Sequence, residues 1–296
     1  MPLNHVLLIG AAGNLGSLVL NHLLAFPFKF NITVLSRNSS TAKFPSSVTV
    51  SRISDDYPSS ELANAFKDID IVISAISMTG MHHQYKFIDA AIAAKVKRYI
   101  PTEYGLDDLP DWLIEMRPMF RIKHDVRDYL VSKEETGLEW TGIVCNVFFE
   151  MGVMSGFFQF DWKTKKVLLI DGGETKWVAT TLDTVALAVV RALEKAEETK
   201  NRLLLIQDFR VSQREILDAI QEKTGPWQVE NVEFAKWLEA GKEKVRDGDD
   251  SAMPMLTFAT VVTGSQWEER NEFANQLLEL PTKSFKDAMD IVLKDV

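Results

Sequence analysis

Three glycines with two residues between each and the next, Gly10, Gly13 and Gly16, sit in the segment Gly10-Ala11-Ala12-Gly13-Asn14-Leu15-Gly16. The apolar run Val6-Leu7-Leu8-Ile9 precedes them and an amphipathic stretch follows, the strand-turn-helix setting that a dinucleotide pyrophosphate requires. The glycines divide the work between them. Gly10 is expected to turn the chain sharply out of the strand, Gly13 to let backbone approach phosphate, and Gly16 to let the helix pack close to the sheet. Backbone N–H groups at the helix start, from Ala12 to Leu15, then face the anion. The second chemical signal follows the run Asn31-Ile32-Thr33-Val34-Leu35, which ends in Ser36-Arg37-Asn38. A free ribose 2′-OH calls for an acid there, and a 2′-phosphate calls for an arginine. No acid is present. Arg37, with the hydroxyls of Ser36, Ser39 and Ser40 nearby, offers a planar multi-donor fork to a phosphate, so NADP(H) is expected over NAD(H).

Groups able to move a proton come later in the chain. Lys123 lies in Phe120-Arg121-Ile122-Lys123-His124-Asp125-Val126-Arg127. An ammonium in an apolar pocket or beside a cationic ring loses its proton more easily and serves as acid or base near neutrality. On the residues alone, Lys123 reads more simply as a lysine on a solvated helix face. Tyr129 and Lys133 form a Tyr-x-x-x-Lys pair, which would share a helix face, although Tyr129 also continues the apolar stripe of Ile122 and Val126. Phe148, Phe149, Phe157, Phe158, Phe160 and Trp162 crowd into 15 residues; they suit a pocket for a flat apolar substrate and equally a domain-joining core. Met78, His82 and His83 follow the run 71–76, where the cofactor also passes, with Ala75, Ile76 and Ser77 as its expected contacts.

Composition narrows the classes. A chain of 296 residues buries a sizeable core and fits one large or two modest domains. A net charge of −9 argues against nucleic acid or an anionic membrane as the main partner, leaving a small molecule. The single cysteine, Cys145, lies in an apolar run and reads as a buried small hydrophobe in a reducing compartment. The first strand starts near His5, which leaves no room for a signal peptide, and no apolar run reaches membrane-spanning length, so a cytoplasmic protein is expected. The five histidines are scattered, so no metal is expected.

The elements that must hold these groups follow from periodicity. Apolar runs at 5–9, 31–35, 48–52, 69–75, 97–101 and 140–147 predict strands, and 82–94 and 120–135 predict helices between the later ones. Such alternation predicts an α/β fold, a doubly wound parallel sheet with helices on both faces. Ligands of such sheets lie beyond the carboxyl ends of the strands. Past about residue 150 the alternation fades. A helix at 182–196 and a strand at 202–206 predict a return to the sheet, and 212–296 reads as mostly helical. The expected division is a nucleotide-binding Rossmann part at 1–152 and a smaller substrate-binding part at 153–296, with 176–206 returning to the Rossmann sheet.

Several of these segments together resemble the isoflavone reductase-like, NmrA-like branch of the atypical short-chain dehydrogenases. The glycine segment, Ser36-Arg37, Lys123, and the strand end Pro101-Thr102-Glu103-Tyr104-Gly105 carry the resemblance. The family's version of that strand end is of the Pro-Ser-Glu-Phe-Gly type, so Thr102 and Tyr104 are mild departures. Asp89-Ala90-Ala91, Val96-Lys97-Arg98, Val144-Cys145-Asn146-Val147-Phe148 and Asp171-Gly172 with Trp177 extend it, and the last 80 residues match only loosely. The resemblance implies an NADP(H)-dependent oxidoreductase of secondary metabolism acting on a small hydrophobic, aromatic or conjugated metabolite, with Lys123 as the catalytic group near the nicotinamide. It also implies Thr102, Lys123 and Asn146 as cofactor contacts, and Thr102, Tyr104, Phe148, Phe149 and Phe158 as substrate contacts, in a monomer or homodimer. Two other outcomes stay open: an NADP(H)-binding regulatory sensor without turnover, and a cofactor-holding cyclase of natural products.

Overall fold

The computed structural model describes residues 3–26, 30–107, 109–294 and 296. Its strands in chain order are β1 (His5–Ile9), β2 (Asn31–Arg37), β3 (Thr49–Ile53), β4 (Ile71–Ser74), β5 (Arg98–Ile100), β6 (Glu139–Val144) and β7 (Val147–Phe148). β8 (Phe160–Asp161), β9 (Lys166–Ile170), β10 (Trp177–Thr180), β11 (Arg202–Leu205), β12 (Phe209–Val211) and β13 (Gln228–Val232) follow. The helices are α1 (Asn14–Ala25), α2 (Ser59–Ala65), α3 (Gln84–Ala93), α4 (Asp111–Met116), α5 (Ile122–Ser132) and α6 (Phe149–Met154). Then come α7 (Leu182–Glu194), α8 (Ala196–Thr199), α9 (Gln213–Thr224), α10 (Phe234–Arg246), α11 (Met253–Val261) and α12 (Phe285–Val292). None of these helices is long and apolar enough to cross a membrane.

Seven strands form one parallel sheet in the order β11-β6-β5-β4-β1-β2-β3. This is the doubly wound α/β arrangement that the alternating runs predict. Successive side chains of β1 split between its faces: Val6 and Leu8 join the layer under α1 and α7, whereas Leu7 and Ile9 join the layer under α2, α3 and α5. Both faces are therefore sealed, and the ends of the strands are left for function.

The run 140–147 does not form one strand. Asn146 adopts a left-handed backbone (φ 55°), which ends β6 and redirects the chain into β7. β7 then pairs with β10 in a separate sheet, order β12-β10-β7, and a third sheet has the order β13-β9-β8. Within 176–206, α7 packs on α1 and β11 pairs with β6 in the large sheet, but β10 stays outside that sheet. β10 is held in the small sheet by β7 and β12. These small sheets and α9 to α12 enclose a second core.

The helical expectations shift at their ends. The segment 82–94 begins as a 3₁₀ turn, Met78–His83, before α3. α5 is flanked by the 3₁₀ turns Pro118–Arg121 and Glu134–Thr136, the latter closed by left-handed Gly137 (φ 83°).

Candidate functional site

The glycine segment leaves β1 at the carboxyl edge of the large sheet and caps α1. Gly10 has φ 88°, and a Cβ on it would come within 2.3 Å of the Ala75 carbonyl oxygen, so this turn admits no side chain. Gly16 meets the same turn from the helix side: its Cβ would lie 2.1 Å from the Gly10 carbonyl oxygen. Gly13 is different. It is the N-cap of α1 at φ −80°, an added Cβ would meet the Gly10 oxygen at 3.3 Å, a milder approach than at the other two glycines, and the residue lines the cleft.

A cleft of about 440 Å³ opens there, lined by Gly10, Ala12, Gly13, Ser36, Arg37, Ala75, Ile76 and Ser77 among others. The other expected cofactor residues stand elsewhere. Leu15 is buried core, Gly16 supports the turn, and Asn14 is exposed with its side chain 3.8 Å from the Met151 sulfur. The Asn38 N–H is used by Ile53.

The loop after β2 is organised by partners that its own residues do not announce. Arg52 on β3 donates through Nη1 to the Ser36 hydroxyl (3.2 Å), the Arg37 carbonyl (3.0 Å) and the Ser40 carbonyl (2.8 Å). The Ser39 hydroxyl bonds to Asp55, so Ser36 and Ser40 are the serines of this loop that line the cleft. Tyr57 and His83 also line it, with ring centroids 4.8 Å apart. Burial holds the His83 imidazole below its ordinary pKa, reinforced by neighbouring His82, and its Nδ1 has no partner among the described residues. Nothing in the turn Asp55-Asp56-Tyr57-Pro58 marks Tyr57 as a cleft residue from sequence.

The strand end after β5 builds the floor of a second cavity. Thr102 ties two strand ends together: its hydroxyl lies 2.9 Å from the Ser74 hydroxyl and accepts from the Ile76 N–H at 3.2 Å. Its own N–H goes to the Gln84 side chain at 2.7 Å. Thr102 therefore positions the neighbouring loop, and its hydroxyl is taken up within the protein. Lys123, in the first turn of α5, points back at that loop. Its ammonium donates to the carbonyls of Glu103 (2.8 Å) and Tyr104 (2.7 Å). Gly105, at φ 124°, makes room for it, since a Cβ there would sit 3.0 Å from Lys123 Nζ. Burial lowers the Lys123 pKa, and the nearby Glu103 carboxylate opposes that shift without cancelling it. A cavity of about 200 Å³ is lined by Lys123, Glu103, Tyr104, Gly105, Met78 and Phe120 among others. The Tyr104 hydroxyl is buried without a partner among the described residues, and burial raises its pKa. Asn146 turns the chain beside Gly105 and donates to the Val178 carbonyl at 2.8 Å.

Tyr129 and Lys133 are placed apart from this constellation. The Tyr129 hydroxyl donates to Asp89 on α3 at 2.6 Å, which pushes its pKa up to about 12, and Lys133 sits over its ring. The pair belongs to the α3–α5 seam.

The aromatic cluster divides. Phe149 and Phe158 are fully buried in the second core, where Phe149 packs edge-on against Phe209 and Phe158 packs against Trp177 and Phe258. They are core residues rather than pocket walls, because β7 carries this segment away from the large sheet. Phe148 is half-buried against the first core. A third cavity, of about 420 Å³, gets its aromatic walls from Trp112, Phe234 and Trp267. It shares Leu106, Asp107 and Leu109 with the Lys123 cavity and also touches Asn146. None of these three aromatics stands out in the sequence, since each comes from a different, distant segment.

Comparison with known proteins fits this geometry. The chain is 35% identical over 294 residues to the oxidoreductase aprR of Aspergillus flavus, covering 98% of each chain. Its fold matches an isoflavone reductase crystal structure with a TM-score of 0.76 at 20% identity, covering 99% of each chain. It also matches AtPrR2 with NADP+ and (+)pinoresinol, with a TM-score of 0.77 at 19% identity, covering 98% of this chain and 99% of that one. The sequence model of the NmrA-like family spans residues 3–239, and the chain belongs to that family.

Proposed function

We propose that this chain is an NADP(H)-dependent oxidoreductase that transfers hydride to or from a small hydrophobic, aromatic or conjugated metabolite, with Lys123 as the general acid or base. One observation carries this reading: the glycine-turn cleft and the Lys123 cavity adjoin at one edge of the sheet. Ser77, Thr79 and Gly80 line the first and Met78 lines the second. The relatives support it, since one is an oxidoreductase by name and another was determined with NADP+ and pinoresinol.

The residues fit the cofactor. Gly13 leaves a bare backbone facing the cleft at the start of a 12-residue helix, and Arg37 supplies a guanidinium on the same cleft. Arg37 is assigned to the 2′-phosphate, the Gly10 to Gly13 turn to the pyrophosphate, and Ala75, Ile76 and Ser77 to the path between. When bound, the nicotinamide gives or takes the hydride. Lys123 and Asn146 are assigned to that end. Lys123 holds the proton at Nζ, and its lowered pKa lets it release that proton nearer neutrality than an exposed lysine does. The carbonyls of Glu103 and Tyr104 fix the ammonium, which limits the search over proton positions. Residues 1–152 are assigned to the nucleotide, and 153–296, apart from the returning α7 and β11, to the substrate.

The test is calorimetric titration with NADPH and NADH. Oxidation of NADPH by a panel of conjugated aromatic carbonyl compounds is then followed by absorbance. Tighter binding of NADPH with turnover on part of the panel is expected. Tight binding with no turnover would favour the regulatory sensor, and no nucleotide binding would end both readings.

A further inference from the structure

The Arg37 guanidinium forms no hydrogen bond or ion pair among the described residues, so its aim depends on the backbone that carries it. That backbone is tied to the end of β3. Arg52 sends a single nitrogen, Nη1, to the Ser36 hydroxyl, the Arg37 carbonyl and the Ser40 carbonyl. The Asn38 N–H donates to the Ile53 carbonyl at 2.8 Å, and the Ser40 N–H closes a turn on the Arg37 carbonyl at 3.0 Å. Asp55 holds the residue between: its carboxylate accepts from the Ser39 N–H at 3.2 Å and from the Ser39 hydroxyl. The hydroxyl bond first and the N–H bond second, with the Arg37 guanidinium adding to them, keep the Asp55 carboxyl below its ordinary pKa. Ser36, Arg37 and Ser40 line the cleft, whereas Arg52 and Asp55 stand behind the loop and do not.

We propose that Arg52 and Asp55 are positioning residues that set the preference for a 2′-phosphorylated nucleotide, acting through the loop and without touching the ligand. The inference rests on the assignment of Arg37 to the 2′-phosphate. A guanidinium on a long stem reads a phosphate well only if its base is already in place, because a wandering loop must be ordered at the moment of binding. A nucleotide without that phosphate gains nothing from the order. The charges separate positioning from a plain electrostatic field. As sources of field, Arg52 attracts a phosphate and Asp55 repels it, so they oppose each other. As staples on one loop they act together.

The experiment titrates the full chain with NADP+ and with NAD+ by calorimetry at physiological ionic strength, where the field of exposed charges is screened. Both side chains are exposed, so their variants are expected to fold. Arg52→Met should weaken NADP+ roughly tenfold and Asp55→Ala roughly fivefold, with NAD+ within about twofold of wild type in each. The double variant leaves the net charge of the pair at zero and should lose more NADP+ affinity than either single change. Should it fail to fold, Asp55→Ala decides alone, since loss of the carboxylate tightens NADP+ if field governs and weakens it if position governs. Tighter NADP+ binding in Asp55→Ala, a double variant with the wild-type preference, or equal losses of NADP+ and NAD+ overturns the inference. A wild type that binds neither nucleotide, or both alike, fails the cofactor assignment itself and this inference with it. A wild type that prefers NADP+, with variants that keep the preference, fails the inference alone.

Discussion

Lys123 combines two conditions that oppose each other elsewhere in proteins: its ammonium is enclosed, yet it donates to two backbone carbonyls. Enclosure favours the neutral amine and the carbonyls favour the charged form; burial is the larger influence, so the pKa lies below that of an exposed lysine. Lys123→Ala should cut turnover roughly 10²- to 10⁴-fold and leave NADPH affinity near wild type by calorimetry. Wild-type turnover in that variant would remove the lysine from the chemistry. The pH dependence has a definite sign. Because the pKa lies below the ordinary lysine value of about 10.4, reductive turnover, which needs the protonated form, falls as pH rises through the lowered value. Oxidative turnover, which needs the free amine, rises over the same window. Rates measured in both directions against pH check this, and parallel limbs would contradict it. Tyr129→Phe should change neither, because that hydroxyl serves Asp89. Arg37 makes a separate test. Arg37→Ala is expected to weaken NADPH roughly 10- to 100-fold and NADH less than threefold, since only the former presents a phosphate; equal losses would show that Arg37 does not read it.

At the scale of elements, the glycine turn separates folding from binding. Gly16→Ala puts a methyl group against the Gly10 carbonyl in the seam between α1 and β1, and the carbonyl, being backbone, cannot swing aside. A loss of about 3 kcal/mol or more is expected by denaturant unfolding. Gly13→Val instead should fold and lose both nucleotides, because its side chain enters the cleft. A Gly16 variant of unchanged stability would contradict the close approach. These elements were legible because period and punctuation agree: β1, α1, β2 and α5 lie where the apolar spacing predicts. The break at Asn146 was not legible, since Val144 to Phe148 reads as one apolar run and a single left-handed residue splits it. That one torsion also decided the fate of Phe149 and Phe158. Once β7 joins β10, the segment after it faces the second core.

Across the whole molecule, the site lies where the two cores meet, and its two halves were legible to different degrees. The nucleotide half is built from short contiguous segments, each with its own local signal in glycine, arginine and strand pattern. The cavity proposed for the substrate draws Trp112, Phe234 and Trp267 from positions separated by more than a hundred residues at one step, so no local window contains it. Asp107 and Arg270 meet across the same gap.

The bend at Asn146 has one more consequence, through the residue before it. Cys145 is the chain's single thiol, fully buried, bonded through its N–H to the Gly105 carbonyl at 3.2 Å, and pushed up to about 12 by burial. A thiol so enclosed is inert until the joint between the two sheets parts. Alkylation of the folded chain should run roughly 10³-fold or more slower than that of the unfolded chain, and slower again with NADPH bound. Cys145 thus works as a built-in stopwatch for breathing beneath the Lys123 loop, timed by mass spectrometry, and labelling at the unfolded rate would mean that this floor stands open.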